Sequence, residues 1–176
     1  PWPDPDALDY SDVRRQCERY YGTYATFGAP WSPFFHEVGW MIGQERFYMW
    51  MSTKPEVTEA IIQHVVDYEV EVTRRFLEAA NGMLDITYFG NDFGTQRGLF
   101  IGPAMWLRFM RPYLKRFFDV SHEYGCQVMK HSCGASRRPH PERRRERFAA
   151  ALSGRADRAR HRALQGRQLR HRLRAP

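Results

Sequence analysis

The sequence predicts an α/β fold built on parallel strands, and three observations predict it. Short β-type runs alternate with longer segments of helical periodicity. The connections between the runs are helix-length, which parallel strands need and hairpins do not. Glycine or proline punctuates most changes of period. The order reads β-α-β-α-β with right-handed crossovers, and 176 residues suffice for one domain with a true core.

Pro1-Trp2-Pro3-Asp4-Pro5-Asp6 is too proline-rich for a helix and is expected as an extended lead-in. Residues 9–21 read as a short helix stopped by Gly22, and 23–27 as a first strand between glycines. The aromatic-rich stretch 31–50 should hold a loop and one or two short helices; its rings, Trp31 among them, could wall a pocket for a large planar ligand, though packing of helices against the sheet accounts for most of them more simply. Thr53-Lys54-Pro55-Glu56 has the form of a capping box. Apolar or aromatic residues then recur at 57, 61, 65, 68, 72 and 76, one face of a long helix that ends near Asn81-Gly82. Residues 83–89 form a second strand leading into the loop 90–96. Pro103 opens another helix, with Met105, Phe109, Leu114, Phe117 and Val120 on its inner face, a break at Pro112 and an end at Gly125. Residues 126–131 form the third strand.

Charge is distributed unevenly. Residues 137–176 hold fourteen arginines against three acidic residues and so carry +11, which leaves −4 for the rest of a chain whose total is +7. This stretch lacks Ile, Val, Met, Tyr, Trp and Cys, and its one aromatic is Phe148, so it offers no core face. A disordered or charge-solvated tail over 136–176 is the expectation. Its composition is also what a GC-rich gene yields when read out of frame, so a frameshift product is expected there. Such an arginine run would bind phosphate backbones non-specifically, but it lacks interleaved aromatics and any recognisable nucleic-acid module. Three cysteines without a disulfide framework indicate free thiols in a reducing compartment, and no apolar run approaches the ~20 residues of a membrane span. A cytoplasmic location is expected.

Chemistry concentrates at His131-Ser132-Cys133-Gly134, where an apolar run delivers an imidazole and a thiol two residues apart. On a strand, i and i+2 point to one side, so both would emerge together at its C-terminal end. The pair suits half of a zinc site, and equally a hydrogen-bonded histidine beside an inert thiol. Cys126 cannot add a ligand, since five residues along the same strand place it ~16 Å away. Asp92, at the end of the second strand, is a candidate catalytic carboxylate and a conceivable oxygen ligand, or else an Asx-turn residue in a glycine-flanked loop. Gln96 and Arg97 are candidate substrate contacts, or solvated loop residues. His36 and His64 have no partner at ligand spacing and receive no role.

Asp92-Phe93-Gly94-Thr95-Gln96, Gly102-Pro103-Ala104-Met105-Trp106, Arg111-Pro112-Tyr113-Leu114-Lys115-Arg116 and His131-Ser132-Cys133-Gly134 follow one another in order. Taken with the opening Pro1-Trp2-Pro3-Asp4-Pro5-Asp6, this set resembles the uroporphyrinogen decarboxylase superfamily over about residues 1–135, in the branch similar to cobalamin-dependent methyltransferases. The resemblance implies a (β/α)₈ TIM barrel with its active site at the C-terminal mouth, of which this chain would hold about three βα units. It implies that His131 and Cys133 bind zinc, that zinc activates a thiol as methyl acceptor, and that a corrinoid, free or on a corrinoid protein, takes part. In that branch a further downstream cysteine completes the zinc site, and none follows Cys133 here. The runner-up is decarboxylation of a tetrapyrrole's acetate side chains in haem biosynthesis, Asp92 stabilising a protonated pyrrole. The arginine-rich substrate motif of that enzyme is not visible. Two readings of other classes are an inactive fragment with unpaired sheet edges and a nucleic-acid binder acting through 137–176.

Overall fold

The computed structural model describes residues 2–135; the tail over 136–176, with the disorder and frameshift expected of it, lies outside the described residues. The chain divides into two units after Ser136, and the first unit holds every element of the fold given below.

A single 3-10 turn, Pro5–Ala7, interrupts the expected extended lead-in, because Asp4 caps it by accepting the Asp6 N–H at 2.9 Å. Helix α1 (Ser11–Tyr20) follows, then strand β1 (Phe27–Gly28). β1 is shorter and later than the run 23–27 suggested. The amides of Thr23 and Tyr24 turn back to the Tyr20 carbonyl. Thr26 is then held across the chain, its hydroxyl donating to the Met83 carbonyl at 2.6 Å and its N–H to Asp85 Oδ2 at 2.9 Å. Helices α2 (Phe34–Ile42) and α3 (Gln44–Thr53) fill the aromatic stretch as expected.

Helix α4 (Pro55–Ala80) is the long helix, but two of its expected details are corrected. No capping box forms: Thr53 is the last residue of α3, and its hydroxyl donates to the Met49 carbonyl four residues back. Lys54 stands at the N-cap, and Pro55 begins the helix without an N–H that needs capping. The buried face is also turned by about one residue. It comprises Thr58, Ile62, Val65, Val66, Glu69, Val72, Thr73, Leu77 and Ala80, while Val57 is 46% exposed and Ile61, Tyr68 and Phe76 sit at the margin. Hydropathy misplaced this face because three polar residues belong to it. Thr58 and Thr73 satisfy their hydroxyls on carbonyls four residues back.

Strand β2 (Ile86–Gly90), helices α5 (Pro103–Phe109) and α6 (Arg111–Glu123), and strand β3 (Gln127–His131) complete the order. The break falls at Met110, next to Pro112 as expected. All three strands are parallel in the order β1-β2-β3. Thr87 and Phe89 face α6, through the Ser121 hydroxyl at 2.9 Å and the Phe117 ring at 5.2 Å. Alternation turns Tyr88 to the opposite face, where it meets Phe27 and Trp31, centroids 6.1 and 5.1 Å away. The sheet is thus helix-covered on one side and aromatic on the other. Between helices and sheet lies a phenylalanine-rich core around Phe34, Phe35, Phe47, Phe89, Phe93, Phe109 and Phe117. This is the mixed α/β architecture expected, with a sheet of three parallel strands among the described residues.

Glu69 is the anomaly of the core. It is 5% exposed with both carboxyl oxygens shut off from solvent, and burial, then the charge of Glu37 and a hydrogen bond shared with it, pushes its pKa up to about 10. A carboxyl raised in the folded state stabilises fully below its unfolded pKa near 4.5, and the stability is lost as pH climbs from there toward 10. Denaturant titrations should show stability falling by roughly 3 kcal/mol between pH 4.5 and 7. Glu69→Gln should flatten that slope; an unchanged slope in the variant would place its origin elsewhere.

Candidate metal centre

Two strand-end loops meet at the C-terminal edge of the sheet. The register of β2 on β3 ends with Gly90 opposite His131, and the Asn91 N–H carries the ladder one step further to the His131 carbonyl at 3.2 Å. Past that point side chains take over. The Cys133 N–H donates to Asp92 Oδ1 at 2.6 Å, the Phe93 N–H to Ser132 Oγ at 3.2 Å, and the Ala135 N–H to the Thr95 carbonyl at 2.7 Å. Gly94 and Gly134 let the two backbones touch: a Cβ on Gly134 would lie 2.1 Å from the Gly94 oxygen.

The loops are also fixed from behind. Buried Asn91 accepts the Phe35 N–H and donates to the Ser32 carbonyl, tying the end of β2 to the entrance of α2. The Asp92 N–H donates to His36 Nε2 at 3.0 Å. That imidazole therefore presents a lone pair, and burial holds its pKa below the ordinary histidine value. Lys130 lies over the Phe93 ring at 4.2 Å.

Asp92, His131 and Cys133 converge, their donor atoms all within 4.8 Å of one another. His131 Nε2 is 2.9 Å from Cys133 Sγ and 3.4 Å from Asp92 Oδ1. Both contacts use the same ring nitrogen. A nucleophile–base–carboxylate relay would need the thiol on one nitrogen and the carboxylate on the other, so the arrangement is not such a relay; its three donor atoms could instead hold a metal ion. Tetrahedral zinc separates nitrogen and oxygen ligands by about 3.3 Å and nitrogen and sulfur by about 3.6 Å. The first spacing is already present; the second needs the exposed Cys133 side chain to swing out by about 0.7 Å. The three residues fit a zinc site with one position left for a substrate. The remaining thiols are in the core: Cys17 and Cys126 are buried, and burial pushes Cys126 up to about 12. Partial desolvation and the Asp92 carboxylate raise the Cys133 thiol too, so a cation there is what would favour its thiolate.

The structure brings together Asp92, His131 and Cys133 and leaves Gln96 and Arg97 exposed at the tip of a turn built on Thr95, whose hydroxyl accepts the Arg97 and Gly98 amides. Sequence reasoning missed His36, 56 residues from Asp92 and on another helix, with no local signal to betray it. Trp31, read with its aromatic neighbours as core or as the wall of a pocket, is 46% exposed and its ring stands 5.7 Å from the His131 ring, beside the centre. His64, given no role, stacks on Trp2 away from these residues.

A family model described as "Uroporphyrinogen decarboxylase (URO-D)" matches residues 12–153, running through the composition change at 136 and so beyond the 1–135 span that the motifs suggested. No curated protein and no solved structure matches the chain. Among the described residues, no helix is long and apolar enough to cross a membrane.

Gly134 combines a φ of +82° with the close approach to Gly94. Gly134→Ala should therefore weaken zinc binding at least tenfold in competition with a chelator while leaving the helical circular dichroism intact. Gly22→Ala, at the same φ with open space around it, is the control and should leave zinc affinity unchanged.

Proposed function

The chain belongs to the uroporphyrinogen decarboxylase family, and from that premise we propose that its strand-end centre serves a zinc-assisted methyl transfer between a corrinoid and a thiol substrate. The observation that carries this reading is the convergence of Asp92, His131 and Cys133 on one point. His131 Nε2, Cys133 Sγ and an Asp92 oxygen would hold the ion, Asp92 supplying a ligand that the branch's pattern takes instead from a downstream cysteine. When bound, zinc supplies the Lewis acidity that favours the thiolate form of a substrate thiol at neutral pH. The chain's own residues bind and orient. Asp92 is fixed by the Cys133 amide and by His36, and the mutually tilted rings of Phe27, Tyr88 and Trp31 offer an apolar surface against which a macrocycle could rest. Gln96 and Arg97 would reach polar groups of the substrate from the adjoining turn. A bound corrinoid would supply the methyl group as an electrophile and keep the electron pair of the bond given up, and the substrate thiolate would supply the pair of the new carbon–sulfur bond.

Tetrapyrrole acetate decarboxylation is the second reading, favoured by the description of the matching family and by the half-exposed Asp92 carboxylate beside that aromatic face. In it Asp92 would stabilise positive charge on the pyrrole ring, and zinc would have no part.

The two readings separate at Cys133. Under the first, the protein takes up one zinc per chain, and His131→Ala and Cys133→Ser each lower zinc affinity at least 100-fold and abolish methyl transfer from methylcobalamin to a thiol. Under the second, Cys133→Ser leaves decarboxylation of uroporphyrinogen intact and Asp92→Asn removes it. Wild-type protein that takes up no zinc in metal analysis would overturn the first reading.

A further inference from the structure

Strand β1 hands over to α2 through Ala29-Pro30-Trp31-Ser32-Pro33. Among the described residues, three that are not glycine have a positive φ. Asn81 is the left-handed C-cap of α4, but Ala29 at +118° and Ser32 at +48° bracket Pro30 and Trp31. Residues with a Cβ rarely adopt such backbone, and it persists only where the surroundings dictate it. Here the end of β2 does so. The Gly90 N–H donates to the Trp31 carbonyl at 3.0 Å, and the Asn91 side chain donates to the Ser32 carbonyl at 3.1 Å.

This strained segment delivers an indole to the strand ends. The ring is seated where Gly90 has no side chain: a Cβ there would lie 1.9 Å from Trp31 Cζ2. The register sets Gly90 directly opposite His131, so the indole fills the place of the missing cross-strand neighbour. Its centroid is 5.7 Å from that of the imidazole, and the Tyr88 ring backs it at 5.1 Å. Burial in the core does not explain the arrangement, since 46% of Trp31 stays exposed.

We propose that Trp31 is a positioning residue: its indole, seated on Gly90, holds the His131 imidazole in the rotamer that turns Nε2 toward Cys133 and Asp92. Both contacts of His131 use that one nitrogen, at 2.9 Å to Cys133 Sγ and 3.4 Å to Asp92 Oδ1, so the ring's orientation decides whether the three donors meet. Beside a bare glycine the imidazole would sample several rotamers, and fixing one of them on binding would cost side-chain entropy. A rigid indole removes that freedom in advance. The consequence for the metal rests on the zinc reading: neighbours that orient a ligating histidine typically change affinity by about ten- to a hundredfold when removed.

The test begins with the metal-free full chain. NMR couplings that report the His131 χ1 angle should show one rotamer in the wild type. They should show averaged rotamers in Trp31→Leu and in Gly90→Ala, whose added methyl group must evict the indole. Competition with a chelator then measures zinc. Each single variant should bind it roughly tenfold or more weakly, and the double variant no more weakly than either, because Gly90→Ala displaces nothing once the indole is gone. Trp31→Phe, which keeps a ring, should recover part of the affinity; Trp2→Leu, whose ring stacks on His64, should leave it unchanged. A single His131 rotamer in folded Trp31→Leu protein, or additive losses in the double variant, overturns the proposal. Wild-type protein that binds no zinc but shows the rotamer difference supports the role of Trp31 and overturns the zinc reading alone.

Discussion

The parallel register of β2 on β3 is the constraint on which the rest depends. Its last pair sets Gly90 against His131, so the chain leaving β2 reaches Asp92 two residues on, and the chain leaving β3 reaches Cys133 two residues on. Three donors therefore come level without any long side chain having to stretch for another. A slip of one residue would turn His131 to the other face of the sheet, toward α6, and disperse the group. Phe89 on Phe117 and the Thr87–Ser121 hydroxyl pair seat β2 on α6, and the Thr87 hydroxyl also donates across to the Gln127 carbonyl of β3 at 3.2 Å. Core and centre are thus consequences of the same alignment.

Beyond the ladder the backbone has no regular partner, and buried backbone groups must find one. Here the chemistry-bearing residues also supply structure: Asp92 accepts the Cys133 amide, Ser132 that of Phe93, and His36 that of Asp92. A loop tied in this way keeps its geometry before any ligand arrives, which metal and substrate sites need. The cost appears in the glycines: Gly94 and Gly134 are required because the two backbones approach more closely than a Cβ allows.

Much of this was legible in the sequence, and the limits have physical causes. The element order, the break at Met110 next to Pro112 and the shared emergence of His131 and Cys133 follow from period and punctuation, which are local. The face of α4 was misjudged because Thr58 and Thr73 bury hydroxyls that are satisfied by their own helix, and Glu69 is buried beside Glu37; apolar periodicity is blind to all three. The start of β1 was misplaced because Thr26 is claimed by Asp85 and Met83, nearly sixty residues away. His36 was invisible for the same reason, since its contact to Asp92 exists only once α2 has packed beside the end of β2. Asp92 was a conceivable ligand on sequence grounds, but only the strand register brings it within reach of His131 and Cys133.

Convergence of one nitrogen, one sulfur and one carboxylate oxygen on a single ion is the central claim, and X-ray absorption at the zinc edge of the zinc-loaded protein tests it most directly. The account predicts one sulfur at about 2.3 Å with two or three nitrogen or oxygen neighbours at about 2.0 Å, the sulfur vanishing in Cys133→Ser. A shell of two or more sulfurs, or one of nitrogen and oxygen alone in the wild type, would contradict it.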